Sequence, residues 1–293
     1  MDRRPLDRCL EIAARNRSPL FQVSRLFSRE KGGLFLACYA AMRLVDDLVD
    51  ERFLVERQGE ESRAAVVREQ VERWRAQACA AARGDFQAVA DSYEPLVFEA
   101  LNQTAGRSEL GEWPWNALAL SMMADIAKNT LVTWNDFLTY AEGATVAPAT
   151  VFVYILSCRH HNDRFTTPWP VAHYRELVRE MAVFCYVIHI LRDLERDVGR
   201  SGQLVTIPEE LLRAAGLDKS LLARWVIDEP YRILPLRRLL LEKAAGCRQR
   251  GLERLVGGVD LPALERQILK KLLGHYLALF EEMRVETEEK SYP

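Results

Sequence analysis

Apolar residues recur at steps of three and four through most of this chain, a period that admits little besides α-helix. The pattern runs through Leu6–Ala14, Phe35–Val49, Val66–Ala80, Leu118–Ile126, Phe137–Leu156, Tyr174–Leu194 and Leu264–Met283. Sustained alternation is missing, as are Asn-Gly and Asp-Gly turns, so a sheet has almost nothing to grow from. Breakers fall at Lys31-Gly32-Gly33, Gly59, Gly84-Asp85, Gly106, Thr166-Thr167-Pro168-Trp169-Pro170, Gly199 to Gly202 and Gly257-Gly258. The expectation is about nine to eleven helices joined by short loops.

A length of 293 residues favours two domains on general grounds. No Pro/Gly/Ser-rich linker divides the chain, however, and no repeat of fixed period appears. The charged stretch Glu51–Arg75 reads as a solvated helix face with its approach loop. A single all-α domain over residues 1–293 is therefore the economical answer. Lys and Arg number 40 against 42 Asp and Glu, a net charge of −2, so no general basic field draws in nucleic acid. The six cysteines have no CxxC and no regular spacing, and most have apolar neighbours, which reads as buried thiols in a reducing compartment. Met1-Asp2-Arg3-Arg4-Pro5 runs into an amphipathic stretch, unlike a signal core. The longest uncharged run, Gly143 to Cys158, has 16 residues and is too short and polar for a membrane span. The chain reads as soluble and cytoplasmic.

Two acidic segments stand apart. In Tyr39-Ala-Ala-Met-Arg43-Leu-Val-Asp46-Asp47-Leu-Val-Asp50-Glu51, helical spacing puts Tyr39, Arg43, Asp46 and Asp50 on one face. In Tyr186-Val-Ile-His189-Ile-Leu-Arg192-Asp193-Leu-Glu-Arg-Asp197 it does the same for Tyr186, His189, Asp193 and Asp197. Spacing alone is also what a solvated helix face would show. Both pairs interrupt strongly apolar helices, though, where unpaired carboxylates are costly and like charges one turn apart repel. Something cationic should compensate, and two facing Asp pairs suit Mg²⁺, which takes one or two carboxylates plus water and substrate phosphate. Arg43 and Arg192, each beside a pair, could grip phosphate oxygens by bidentate bonds. The combination suggests a metal-bridged diphosphate. Between them, Tyr140-Ala-Glu142-Gly143-Ala144-Thr145-Val146-Ala147-Pro148-Ala149 offers small residues for close approach of a helix or apolar ligand, with a kink or break at Pro148.

These residues resemble the squalene/phytoene synthase family. Arg43-Leu-Val-Asp46-Asp47-Leu-Val-Asp50-Glu51 is similar to its first aspartate-rich motif, with Tyr39 four residues upstream. Ile190-Leu191-Arg192-Asp193-Leu194-Glu195-Arg196-Asp197 is similar to the second, and Tyr140–Ala149 to the small-residue helix between them. Gly199-Arg200 and Ile207-Pro208-Glu209-Glu210-Leu211 echo a further family segment. The similarity covers roughly residues 16 to 217, with the remainder matching only as a helical tail. The resemblance implies an all-α isoprenoid-synthase bundle around a central cavity and head-to-head joining of two prenyl diphosphates, farnesyl or geranylgeranyl. Mg²⁺ between the Asp motifs would trigger diphosphate departure. The allylic cation would be captured to give a cyclopropylcarbinyl diphosphate. A second ionisation would lead to a squalene-, dehydrosqualene- or phytoene-like product, with or without NADPH. Asp46, Asp50, Asp193 and Asp197 would bind metal, with Asp47 in support. Arg43 and Arg192 would grip diphosphate, His189 and Tyr186 would face substrate, and Tyr39 and Tyr140 would line the cavity. Apolar substrates and products would bring transient membrane contact without an anchor.

The chain departs from the family in three places. His189 stands for an Asn, Tyr186 for a Gln, and Thr206-Ile207-Pro208 for Tyr-Leu-Pro. Asn would offer a neutral oxygen; His offers a nitrogen, or a charged donor to diphosphate when protonated. Cys158–Pro170 reads as an inserted loop whose His160-His161 pair lacks metal-ligand spacing. A class I terpene synthase acting on one diphosphate, and an inactive relative serving as an assembly or binding factor, remain alternative readings.

Overall fold

The computed structural model describes residues 4–15, 18–54, 60–85, 87, 93–201, 206–258 and 261–289. The periodic stretches become helices, and side-chain caps mark some of their starts. After α1 (Arg4–Arg15), Ser18 accepts a hydrogen bond from the Phe21 amide and Pro19 fills the first turn of α2 (Pro19–Ser24). Ser28 caps α3 (Arg29–Asp46), which passes directly into a π-helical stretch, Asp47–Phe53. α4 (Glu60–Ala82), α5 (Pro95–Thr104) and α6 (Trp113–Ile126) follow. Thr133 and Asp136 form a reciprocal capping box at the start of α7 (Trp134–Ala141). A π-helical turn, Glu142–Val146, then leads into α8 (Ala147–Ser157). A hairpin of β1 (Arg159–His161) and β2 (Arg164–Thr166) precedes the long α9 (Val171–Arg200). The chain continues through α10 (Glu209–Ala214), α11 (Leu222–Asp228), α12 (Leu234–Gly258) and α13 (Ala263–Glu289).

The all-α class expected from the periodicity is what forms. The described residues hold thirteen α-helices, more than expected, because α2, α10 and α11 span only six or seven residues, too few to show a period. The long α12 was missed for a different reason. Its buried stripe, Leu236, Leu240, Ala244, Cys247 and Gly251, keeps helical steps but relies on small residues. Gly251 lies against the backbone of Met181 on α9, where a Cβ would come within 2.9 Å of the Met181 nitrogen. Small side chains are therefore what let α12 lie along α9.

Two expected breaks are not breaks. Gly32 and Gly33 lie inside α3, where Gly33 faces Leu6 of α1. Gly199 lies inside α9, while Gly59 and Gly202 fall outside the described residues. The inserted loop supplies the one hairpin among the described residues. Its turn residues Asn162 and Asp163 both have positive φ, 47° and 60°, so Asn-Asp does the work expected of Asn-Gly. Adjacent strand residues point to opposite faces, which separates the His160 and His161 side chains.

The break expected at Pro148 is the π-turn Glu142–Val146, with Pro148 in the first turn of α8 beyond it. Contacts with neighbouring helices fix this irregular segment. Arg175 and Arg179 of α9 both bond Glu142, and the Arg175 guanidinium lies 4.7 Å from the Trp113 ring centroid. Thr145 donates to the Ala182 carbonyl oxygen at 3.2 Å, and Ser121 of α6 donates to the Tyr140 carbonyl at 2.8 Å. α8 is apolar on every side and runs through the middle of the molecule, with Val151 to Leu156 all buried. Its C-terminal end is tied by Lys31, whose ammonium donates to the Leu156 carbonyl at 2.9 Å and to Glu265 of α13 at 2.6 Å. Buried side chains form one continuous cluster from Cys9 to Phe280. No helix among the described residues is long and apolar enough to cross a membrane.

Gly143 carries the closest approach: a Cβ there would overlap the Ala117 carbonyl and the Ser121 hydroxyl. Gly143→Ala should destabilise the fold by about 2 kcal/mol through overpacking, measured as a lower urea midpoint with unchanged slope.

Candidate active site

The C-terminal part of α3, the π-helical stretch after it and the C-terminal half of α9 bring both acidic segments to one cavity of about 700 Å³. Asp46, Asp50 and Glu51 line it from one side, and Asp193 and Asp197 from the other. Arg200 of α9 bonds Glu51 at 2.6 and 3.3 Å, joining the two acidic segments directly. The lining changes character along each helix. On α3, Phe35, Cys38 and Met42 precede Arg43 and Asp46; on α9, Val178, Met181 and Ala182 precede His189, Asp193 and Asp197. From Val178 to Arg200 the axial rise is about 33 Å, so the cavity has an apolar reach and a charged end.

Burial and like charge act together at the charged end. Burial raises the pKa of Asp46, although Arg43 bonds both Asp46 and Asp47 and pulls the other way. Asp50 rises well above the ordinary carboxylate value through burial and the charges of Asp46 and Asp125. It has no hydrogen bond or ion pair among the described residues. On α9 burial also acts to raise Asp193, but Arg192 outweighs it with bonds of 2.8 and 2.6 Å and the net shift is downward. Asp197 ends raised by burial despite Arg196, whose Nε donates to it at 3.0 Å.

Placement of the remaining residues follows. Tyr39 lines the cavity, stacks on Phe35 with ring centroids 5.4 Å apart, and donates its hydroxyl proton to Ser18 at 2.7 Å. Tyr186 lines it too, with its hydroxyl 3.1 Å from that of Thr206. Thr206 thus meets Tyr186, a second of the three substituted positions. His189 reaches the wall with Nε2 2.7 Å from the Tyr276 hydroxyl of α13. Asp47 is not among the lining residues and serves to anchor Arg43. Tyr140 corrects the sequence expectation: it does not line the cavity. Small Gly143 draws that turn against α6, and the Tyr140 hydroxyl donates to Asp125 at 3.0 Å behind the wall.

Sequence reasoning missed Asp125, Arg196, Arg200 and Tyr276. Asp125 had a signal: it is the lone charged residue in the apolar α6. Arg196 and Arg200 could have been found by extending the stripe of α9 one turn at a time. Tyr276 had none, since nothing local ties it to a histidine 87 residues away.

The donor set suits a hard divalent cation. Oxygen ligands predominate, and Asp50 is a largely buried carboxylate without a counter-charge of its own. Among the described residues no three His, Cys, Asp or Glu side chains cluster tightly enough to hold one ion unaided. Carboxylate oxygens are the donors that Mg²⁺ takes, commonly one or two beside waters and substrate phosphates.

Burial pushes the Asp125 carboxyl up to about 7, with Asp46 adding to it against the Tyr140 hydrogen bond. An acid with a raised folded pKa favours the folded state when protonated. Stability is therefore lost as pH rises from the unfolded value near 4 toward 7. In EDTA, thermal melts should show a higher midpoint at pH 5 than at pH 7.5, and Asp125→Asn should shrink that difference; an unchanged difference would remove Asp125 as its source.

The squalene/phytoene synthase family model matches residues 14–269. It extends beyond residue 217, where the sequence resemblance stopped, through α12 and into α13. No curated protein sequence matches the chain. Among solved structures, squalene synthase HpnC from Alicyclobacillus acidocaldarius is similar with a TM-score of 0.67 and 19% identity, covering 97% of this chain and 94% of that one. A dehydrosqualene synthase crystallised with a ligand is similar with a TM-score of 0.69 and 14% identity, covering 97% of both chains. At such identities the likeness establishes the shared fold, and the family match establishes kinship: this chain belongs to the squalene/phytoene synthase family.

Proposed function

We propose that the protein is a Mg²⁺-dependent prenyltransferase that condenses two prenyl diphosphates head to head through a cyclopropylcarbinyl diphosphate. The observation that carries this reading is the pairing of Asp46 and Asp50 with Asp193 and Asp197 at the charged end of a cavity whose other reach is apolar. When bound, Mg²⁺ would supply the positive charge that stabilises departing diphosphate.

The chain's own groups do the rest. Asp46, Asp50, Asp193 and Asp197 would hold the cations, while Asp47 keeps Arg43 in place. Arg43 and Arg192 reach the same space and present planar forks to diphosphate oxygens. Met42, Phe152, Met181 and their apolar neighbours enclose the prenyl chains and keep water from the cation. The faces of Tyr39 and Phe35, already stacked, offer cation–π stabilisation at the boundary between the two regions.

The test is an assay with farnesyl and geranylgeranyl diphosphate and Mg²⁺, with and without NADPH, reading products by mass. A product containing both prenyl chains supports the reading. A cyclised or hydrolysed product from a single chain overturns it. Asp46→Asn and Asp193→Asn should each lower Mg²⁺-dependent diphosphate release at least a hundredfold, about 2.7 kcal/mol in transition-state stabilisation. Full activity in either variant would remove the paired carboxylates from the mechanism.

A further inference from the structure

His189 and Tyr276 come from different helices, α9 and α13, and meet on the cavity wall with Nε2 2.7 Å from the phenol oxygen. Their rings sit edge to face, centroids 5.0 Å apart. The pair occupies the boundary between the two regions of the cavity. His189 lies one turn before Asp193 on α9, an axial rise of about 6 Å. Tyr276 follows Leu269, Leu272 and Leu273 of the apolar reach.

The other hydroxyls on this wall are engaged elsewhere, and the neutral Cys185 thiol is a weak acceptor. The Tyr39 hydroxyl proton goes to Ser18, the Tyr186 hydroxyl meets Thr206, and Thr145 donates to a main-chain carbonyl. The carboxylates lie at the charged end and the guanidiniums cannot accept a proton. A neutral imidazole backed by a phenol is thus the proton acceptor best placed beside an enclosed cation.

Building on the condensation proposed above, we propose that His189 and Tyr276 accept the proton lost by the final carbocation, so that the reaction ends in an olefin without consuming a reductant. A C–H bond next to the cationic carbon breaks, and its electron pair becomes the second bond of the new alkene. The proton passes to the Tyr276 oxygen as the phenol proton passes to His189 Nε2. The products are a neutral olefin and an imidazolium, which returns its proton to water when the site opens. The relay requires the tautomer with the proton on Nδ1, in which Tyr276 donates to Nε2.

The surroundings favour that chemistry. Burial first, then Arg192, with smaller contributions from His275 and Arg196, holds His189 neutral at a pKa of about 4, against the opposing pull of Asp193. A charged imidazolium would repel the cation and accept nothing. A carbocation bearing an adjacent hydrogen is a far stronger acid than this imidazolium, so the transfer runs downhill. An Asn at this position, as in the family pattern, has no comparable basicity.

The test uses the full chain with farnesyl diphosphate deuterated at C1, Mg²⁺ and no reductant. It reads inorganic diphosphate release and product mass separately. The wild type should yield an olefin carrying one deuteron fewer than the cyclopropylcarbinyl intermediate. In folded His189→Asn and Tyr276→Phe variants, the ratio of olefin to cyclopropylcarbinyl diphosphate and its alcohol should fall at least tenfold, whatever total rate remains. A purely structural role would lower total release and leave that ratio alone, which would overturn the assignment. So would a wild type whose final cation is quenched by hydride or water. If the wild type releases no diphosphate from any prenyl diphosphate, the condensation itself fails, a result visible before the product ratio is read.

Discussion

The costliest feature of this protein is the concentration of carboxylates at the C-terminal ends of two long helices. A helix C-terminus carries partial negative charge, so Asp197, in the last turn of α9, sits where an acid is least welcome, and Asp46, Asp47 and Asp50 crowd like charges along α3 and the π-helical stretch that continues it. Burial adds a desolvation cost that the raised values of Asp46, Asp50 and Asp197 record. The surrounding arginines offset part of the cost. Arg43 spans two acids, Arg196 spans Asp193 and Asp197, and Arg200 reaches Glu51 across the charged end. Asp50 is left without such a partner among the described residues, and it marks where a cation would gain most.

Backbone irregularity is concentrated around the same cavity. The π-helical stretch after Asp46 carries Asp50 and Glu51 to the wall, and the π-turn after Ala141 supplies Ala144 and Thr145 to it. A π segment widens the helix locally and shifts the faces that follow, which re-aims side chains without ending the rod. Such segments need support from outside. Gly143 lets α6 approach one turn, while Glu142 is clamped by two arginines of α9. The rigid surroundings are long regular helices, so the irregular parts are held on a stiff frame.

Much of this was legible in the sequence because it depends on local period. The main amphipathic helices, the two acidic faces and the break at Pro148 all follow from residues within a few turns of one another. What escaped the sequence depends on partners far away in the chain. Gly33 reads as a breaker until it is seen inside α3, facing Leu6 of α1. Tyr140 reads as a cavity residue until α6 offers Asp125 as a partner behind the wall. α12 hides because the later part of its buried stripe, Ala244, Cys247 and Gly251, is built from small residues that carry little hydrophobic signal but set how closely helices lie. The hairpin at Arg159–Thr166 hides because Asn-Asp reaches positive φ less often than Asn-Gly.

The C-terminal helix changes how the whole cavity is understood. Taken as a tail, α13 would be dispensable to the chemistry of α3 and α9. In the fold it contributes Leu269, Leu272, Leu273 and Tyr276 to the wall, and its Glu265 neutralises Lys31 at the end of α8. One helix therefore closes the apolar reach, anchors the central helix and supplies the partner of His189. That coupling also explains why a net charge of −2 reveals so little. The acids are partitioned by position: some pair on solvated helix faces, some hold helices together, and a few are gathered where the fold bears their repulsion. Because α13 bears on both the structural pair and the polar pair, a change that loosens its packing would reach the wall at His189 and the anchor at Lys31 together. Residues that shape the cavity and residues that hold the fold are here parts of one helix surface.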